Sequence, residues 1–368
     1  MISERSLAQP AAPVSIAEAA RLARDVYGLL IEREGEGEGP GSVTALDGEY
    51  DANFRISAVG GRRFVLKVMH PGRQASLLEL QCAALLHLAK TMPSLGLPRV
   101  QATLSGDLMA KTEVPLTGGE GAESRLVWLL TYVNGTPFTE VRPQTDNTLI
   151  NLGRYLGDLD SGLESFVHPA SDRNFKWNLA QAGWIAGSVE RLTTAAHRSL
   201  VERALASFKS TVVPAMTDLR KSVIHGDAND FNVLVDAPSD GAPSASVSVI
   251  DFGDMHFGMT VAEVAVAATY ALLGRRDPMA AACLVVRGYH ETHPLDDREV
   301  SVIFPLILTR LAVSVTNSAI RKALKPDDPY VTVSEAPAWE ALAALQHFSA
   351  PLAEAMFRKA CGQHVLPR

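Results

Sequence analysis

Cysteine is scarce: Cys82, Cys283 and Cys361 are the only three in 368 residues, widely scattered and without a Cys-x-x-Cys pair. Neither a zinc site nor a disulfide framework is indicated. Cys82 and Cys283 fall in apolar, helical-looking runs and read as small core residues. Basic charge is also short, with 34 Lys and Arg against 41 Asp and Glu and a net charge of -7. That balance argues against a general nucleic-acid binder, which needs a basic face, although a local cluster of cations can still hold a nucleotide. The opening, Met1 to Pro13, lacks the basic start and apolar block of a secretion signal. No run of about 18 or more apolar residues suggests a membrane span, so a cytoplasmic location is expected. A Gly-x-Ser-x-Gly elbow is missing too, which removes an esterase-type hydrolase. What is there is ordinary for a globular protein of one large or two modest domains, 47% hydrophobic and 20% charged.

Periodicity divides the chain. Apolar residues at helical spacing predict a helix from about Ser15 to Glu32, and the Glu- and Gly-rich run Glu32 to Gly41 reads as a solvated connector. Between Ser42 and Met69 the period becomes two, with turns at Asp47-Gly48-Glu49-Tyr50-Asp51 and Gly60-Gly61, which predicts an antiparallel meander. A helix over 74–89 follows, then strands near 97–103 and 125–132 flanking a Gly-rich excursion at Thr117 to Gly121. Beyond Asn134-Gly135-Thr136-Pro137 the pattern is helical over 149–161, 177–192 and 200–216. A strand-rich island occupies 222–236 and 246–252, and helices resume over 261–273, 279–290, 297–323 and 338–359. The expectation is an α+β protein: a small antiparallel-sheet lobe over 1–130, a hinge at 131–136 and a mainly helical lobe over 137–368. Two lobes of this kind imply a cleft between them.

The island carries the chemistry. In Val223-Ile224-His225-Gly226-Asp227-Ala228-Asn229-Asp230-Phe231-Asn232-Val233-Leu234-Val235, apolar strands flank a polar loop holding an acid and, five residues on, an amide. Nineteen residues after Asn232 a second acid ends a strand, in Val249-Ile250-Asp251-Phe252-Gly253-Asp254. Phosphoryl transfer needs a carboxylate that orients a hydroxyl and hard oxygen donors for a divalent metal. Asp227 suits the first task, Asn232 and Asp251 the second. Either loop alone could be a structural turn; the pair, in this order and spacing, points to catalysis.

His225-x-Asp227-x-x-x-x-Asn232 followed by Asp251-Phe252-Gly253 resembles the catalytic and metal-binding loops of protein kinases. Gly226 after His225 resembles the variant used by the aminoglycoside phosphotransferase and choline kinase superfamily. Phe64-Val65-Leu66-Lys67-Val68, Leu78-Glu79-Leu80-Gln81 and Leu130-Thr131-Tyr132 resemble its hydroxylysine kinase-like branch, and the similarity spans roughly Leu46 to Glu335. The resemblance implies a bilobal protein-kinase-like fold and transfer of a phosphate from ATP or GTP, with Mg2+, to a small-molecule hydroxyl. It makes Asp227 the base, with His225 beside it, and Asn232 and Asp251 metal ligands. Lys67 would hold the nucleotide phosphates, Glu79 would fix Lys67, and the turn Gly48 to Asn53 would cover the phosphates. That turn lacks the G-x-G-x-x-G of protein kinases, so backbone amides must do the cradling. Thr131, Tyr132 and Val133 match the hinge that reads the purine.

Relatives of this kind act on hydroxyl compounds that mostly carry an amine, which favours an acidic pocket. Asp230, Asp254 and Glu263 are the candidates. An acceptor carboxylate would need a cation, for which Arg310 and Arg321 are available, and Tyr330 and Trp339 could wall the pocket. Rival readings are another hydroxyl kinase of the same fold (aminoglycoside, choline/ethanolamine or homoserine) and a kinase-fold binding protein without turnover. A degraded enzyme would have lost one of Lys67, Asp227, Asn232 or Asp251, and all four are present. Neither a nucleic-acid nor a membrane partner is expected.

Overall fold

The structure, a computed structural model, describes residues 11–31, 39–115, 121–236, 246–324 and 335–363. Tyr330, most of the Glu32 to Gly41 connector and most of the Thr117 to Gly121 excursion lie outside the described residues. The chain divides into two compact units, Met1–Lys90 with Leu97–Asn134, and Thr91–Gly96 with Gly135–Arg368.

The first unit is a twisted antiparallel sheet under one amphipathic helix. Helix α1 (Ile16–Tyr27) starts where the Ser15 hydroxyl caps Glu18 N–H and stops at Gly28, whose φ of 65° ends the helix with a left-handed residue. Strands β1 (Ser42–Leu46), β2 (Ala52–Ser57) and β3 (Arg63–Val68) form the meander, and β6 (Ala122–Thr131) adds beside β3. Strand β6 also pairs with β4 (Val100–Gln101) and with β5 (Ala110–Pro115), a strand the sequence pattern did not reveal. Ala19, Leu22 and Ala23 of α1 pack with Phe54, Ile56, Phe64, Leu66, Val68, Val127 and Leu129 in one core. Because side chains alternate along a strand, that core claims the even positions of β2 and β3. Asn53, Lys67 and Trp128 therefore share the opposite face, directly across from one another in the ladder. Helix α2 (Ala75–Thr91) follows β3 and buries Leu78, Leu80, Cys82, Leu85 and Leu88.

The second unit is helical around a small set of strands. Helix α3 (Asp146–Leu163) and helix α6 (Pro278–Thr292) lie unusually close, because their contact is made of glycine. A Cβ on Gly153 would meet Val285 O at 2.0 Å, and one on Gly288 would meet Ile150 O at 1.9 Å. Strand β8 (Lys221–Ile224) pairs with β11 (His256–Met259), and β9 (Val233–Asp236) pairs with β10 (Ser246–Val249) and with the two-residue β7 (Thr136–Pro137). Helix α5 (Val261–Ala271) is almost wholly buried. Helix α7 (Asp297–Leu324) has the length and hydropathy to cross a bilayer, but 83% of its apolar window is covered by protein. Its apolarity is that of a core helix.

Three predicted helices differ in form. The segment Leu179–Arg191 winds as a 3₁₀ helix; Gly183 and Gly187 weaken an α-helix there, since each glycine costs about 1 kcal/mol relative to alanine. Helix α4 (Ala195–Ser207) widens into a π turn at Phe208–Val212 before Pro214. The run expected as one helix over 338–359 is two, α8 (Glu335–Leu345) and α9 (Ala350–Ala360). Ser349 caps α9 and Pro351 sits in its first turn, where a missing N–H costs nothing. Strand β11 was also hidden: His-Phe-Gly-Met carries no alternation, and pairing with β8 makes it a strand.

Candidate active site

Four short strands bring two loops to one place. The chain leaves β8 at Ile224 and enters β9 at Val233; it leaves β10 at Val249 and enters β11 at His256. The register sets Ile224 opposite His256 and Val233 opposite Val249, so loops 225–232 and 250–255 emerge at the same end. Ile250 N–H donates to Asn232 O at 2.9 Å, continuing the β9–β10 ladder into the loops.

His225, fully buried, ties them together. Its Nδ1 accepts from Asp227 N–H at 3.3 Å and its Nε2 lies 3.2 Å from Ile250 O. Those partners require the Nε2–H tautomer. The ring also meets Phe252 edge-on, centroids 4.8 Å apart. With both ring nitrogens occupied by backbone, His225 is a strut between the two loops. Gly226 is demanded twice. Its φ is 75°, and a Cβ there would come within 2.6 Å of the His256 ring. Its N–H donates to Glu263 Oε2 at 2.8 Å, so Glu263, a candidate for the acidic pocket, lies inside the protein supporting the loop.

Asp227 is held on both oxygens. Oδ2 accepts from the amides of Asn229 and Asn232, each at 2.9 Å, and Oδ1 accepts from Arg310 Nη2 at 2.7 Å. Burial pushes its carboxyl up to about 6, opposed first by Arg310 and then by the Asn229 hydrogen bond, while the nearby Asp251 charge adds to the rise. Asn229 also accepts from Phe231 and Asn232 N–H through its own oxygen. Asp251 caps the following turn, accepting from Gly253 N–H at 3.2 Å. At φ 61° it is the one non-glycine of positive φ among the described residues, and strain of that kind gathers at functional sites. Asp254 lies 3.9 Å from Arg173; burial and the Asp227 charge push its carboxyl up to about 7, against the pull of Arg173. Asp230 is half-buried, and burial raises its carboxyl too.

The donors suit a hard divalent cation. The Asn232 Nδ2 group is committed to Asp227 O and Oδ2, so its remaining donor is an amide oxygen. Asp251 adds a carboxylate whose charge repels that of Asp227, a repulsion that a cation relieves. Among the described residues no three His, Cys, Asp or Glu side chains form a ready-made metal cage. A magnesium ion that keeps its waters and shares the substrate's phosphates needs only one or two carboxylates.

The other expected residues are distributed as follows. Lys67 is nine-tenths buried on β3, whereas Glu79 is exposed on α2 and no ion pair joins the two, so the expected Lys67–Glu79 pair is not formed here. Asn53 closes the 47–53 turn by donating to Asp47 O at 3.2 Å, and Gly48 has no room for a side chain against it. Thr131 N–H donates to Arg99 O and Tyr132 N–H to Arg63 O, so both amides belong to the sheet and its edge. Trp339 stacks on His197, centroids 3.8 Å apart, and donates to Glu335. Asn229, Trp177 and Tyr270 escaped the sequence reading. Asn229 lies between Asp227 and Asn232 and could have been suspected, whereas the two aromatics carry no local signal.

A kinase-type phosphotransferase is the class of protein that this pairing of loops and strands defines. Residues 42–299 match the phosphotransferase enzyme family, and the chain belongs to it. It is 28% identical over 344 residues to mouse hydroxylysine kinase, covering 89% of this chain and 88% of that one. Among solved structures it resembles an amicoumacin kinase in complex with AMP-PNP and Ca2+, with a TM-score of 0.63, 14% identity and 90% and 95% of the two chains covered. A microcompartment-associated aminopropanol kinase gives a TM-score of 0.62 at 18% identity, with 93% and 98% covered. The fold is thus the protein-kinase-like one of the aminoglycoside and choline kinases, and the chain is a small-molecule kinase acting on a hydroxyl.

Proposed function

We propose that this kinase transfers the γ-phosphate of ATP or GTP to the hydroxyl of a small amine-bearing molecule, a hydroxylated amino acid or an amino alcohol. The observation that carries the reading is the single hydrogen-bonded cluster of Asp227, Asn232 and the Asp251 loop, braced by His225. Asp227 orients the acceptor hydroxyl and takes its proton as the oxygen bonds to the γ-phosphorus and the bond to the nucleoside diphosphate breaks. Asn232, through its oxygen, and Asp251 are the residues that would hold Mg2+, which supplies charge neutralisation for the phosphates. Lys67 is assigned to the nucleotide phosphates and Asn53 to the covering turn. The purine is assigned to the 131–133 hinge; since the Thr131 and Tyr132 amides already bond within the first unit, Val133 and the carbonyls are left to read it.

An amine on the acceptor is supported by the relatives' named substrates, hydroxylysine and aminopropanol, and by the acids Asp230 and Asp254 near the base. A cytoplasmic location, where nucleotide is at hand, accords with this reading.

The test is a panel of 5-hydroxylysine, 1-amino-2-propanol, ethanolamine, choline, homoserine and an aminoglycoside, each with MgATP and MgGTP. Wild-type enzyme should phosphorylate at least one amine-bearing alcohol. Asp227→Asn should lower kcat on it by roughly 100-fold or more, the loss expected of a missing general base, while nucleotide affinity stays near wild type. Wild-type turnover in Asp227→Asn would remove the base assignment.

A further inference from the structure

Arg310 sits in the middle of α7, almost fully buried, yet it ends on the catalytic loop. Its Nη2 donates to Asp227 Oδ1 at 2.7 Å and to the Tyr270 hydroxyl at 3.0 Å. The guanidinium carbon lies 4.4 Å from the centroid of the Trp177 ring and 5.3 Å from that of Tyr270. An arginine takes this degree of burial only when its charge is paired and its plane is packed. Here both conditions are met by residues from three separate segments. Both hydrogen bonds run through Nη2, while Nε and Nη1 are buried with no partner among the described residues, so the aromatic packing and the Asp227 contact together fix the orientation.

The consequence concerns which oxygen of the base does the work. A carboxylate offers roughly four lone-pair sites over two oxygens. Oδ2 has two amide donors, Asn229 and Asn232, and is full. Oδ1 has Arg310 alone among the described residues, which leaves one site on it. We infer that Arg310 is a positioning residue: it locks the Asp227 rotamer so that Oδ1, and not Oδ2, meets the acceptor hydroxyl and receives its proton. Phosphoryl transfer draws mainly on positioning, and a misplacement of an ångström can cost about 100-fold in rate. Without Arg310, the side of the carboxylate facing Trp177 and Tyr270 loses its only anchor, and Oδ1 swings.

The inference rests on Asp227 being the base, so Asp227→Asn is measured beside the Arg310 series. The variants are Arg310→Met, Arg310→Lys and Tyr270→Phe, each read for kcat, nucleotide KM and melting temperature. The substrate is MgATP with whichever of 5-hydroxylysine or 1-amino-2-propanol turns over, or with water as acceptor if neither does. Arg310→Met should lose about 100-fold in kcat with nucleotide KM within threefold of wild type. Arg310→Lys should recover part of it, since lysine restores the charge but not the planar fork. Tyr270→Phe, which keeps the ion pair and removes one anchor, should lose several-fold in kcat. If Arg310→Met does not fold, Arg310→Lys and Tyr270→Phe carry the same split. The assignment is overturned if a folded Arg310→Met keeps kcat within threefold. It is equally overturned if all three variants lose kcat, nucleotide affinity and melting temperature in step, as a purely structural residue would. An inactive Asp227→Asn beside a fully active Arg310→Met sinks the Arg310 role alone; a fully active Asp227→Asn sinks both.

Discussion

His256 lies behind the loop that carries Asp227, where its Nδ1 is 2.9 Å from Asp254 O and its ring blocks any side chain at position 226. Burial lowers its pKa from the ordinary 6.5 to about 4, helped by the Arg173 and Arg310 charges and opposed by the Asp254 carbonyl. The folded protein therefore refuses a proton that the unfolded chain accepts below pH 6.5. Stability from this residue is complete above that pH and is lost as pH falls toward 4, by at most ~3 kcal/mol. The raised Asp227 and Asp254 carboxyls act in the opposite direction, so the effect is read as a difference: in urea unfolding at pH 8, 6 and 5, wild type should lose stability relative to His256→Gln as pH falls. An identical slope in the variant would mean that other groups govern the acid limb. At this scale His225, expected beside the base, and Glu263, expected in an acidic pocket, follow one logic: both are buried braces for the loop that carries Asp227.

Among the elements, the α3–α6 contact has the least slack. Gly153, Gly157 and Gly288 bring two backbones together so closely that an added methyl on any of them strikes main chain or a threonine hydroxyl. Gly288→Ala should cost about 2 kcal/mol or more, by overpacking, and lower the denaturation midpoint accordingly. Gly183→Ala, in the 3₁₀ segment where nothing lies within 4 Å of a new Cβ, is the control and should be near neutral. Equal effects would show that the helix contact yields readily. The same contact carries a second tie: Tyr289 of α6 donates its hydroxyl to the buried Asp160 of α3 at 2.5 Å.

For the whole molecule, a phosphotransferase that binds its nucleotide with metal should be stabilised by that pair. At about 100 times the dissociation constant the gain is ~2.7 kcal/mol, read as a rise in melting temperature with MgATP or MgGTP. EDTA should remove most of the rise, and so should Asp251→Ala, while the melting temperature without ligand changes little. If Asp251→Ala keeps the full metal-dependent rise, the metal lies elsewhere. The order of the fold, sheet first and helices after, was legible because strand and helix periods differ and Gly60-Gly61 and Asn134-Gly135 punctuate them. Strands β5 and β11 were not legible, because each is a strand only by virtue of its neighbour. The 338–359 helix was misjudged because its periodicity runs on through a break that Ser349 and Pro351 impose.

By itself the sequence determined the two loops and the short apolar strands flanking them, because these are matters of local spacing and hydrophobic patterning; the need for glycine at 226 came from the fold, which sets its φ of 75° against the His256 ring. Only the tertiary structure decided what Arg310 does. It lies 83 positions from Asp227, and a helix interior gives an arginine no local reason to be buried. That role came from Trp177, Tyr270 and Asp227 converging from distant segments, which pack the guanidinium and leave the Asp227 carboxylate as the charge it pairs with.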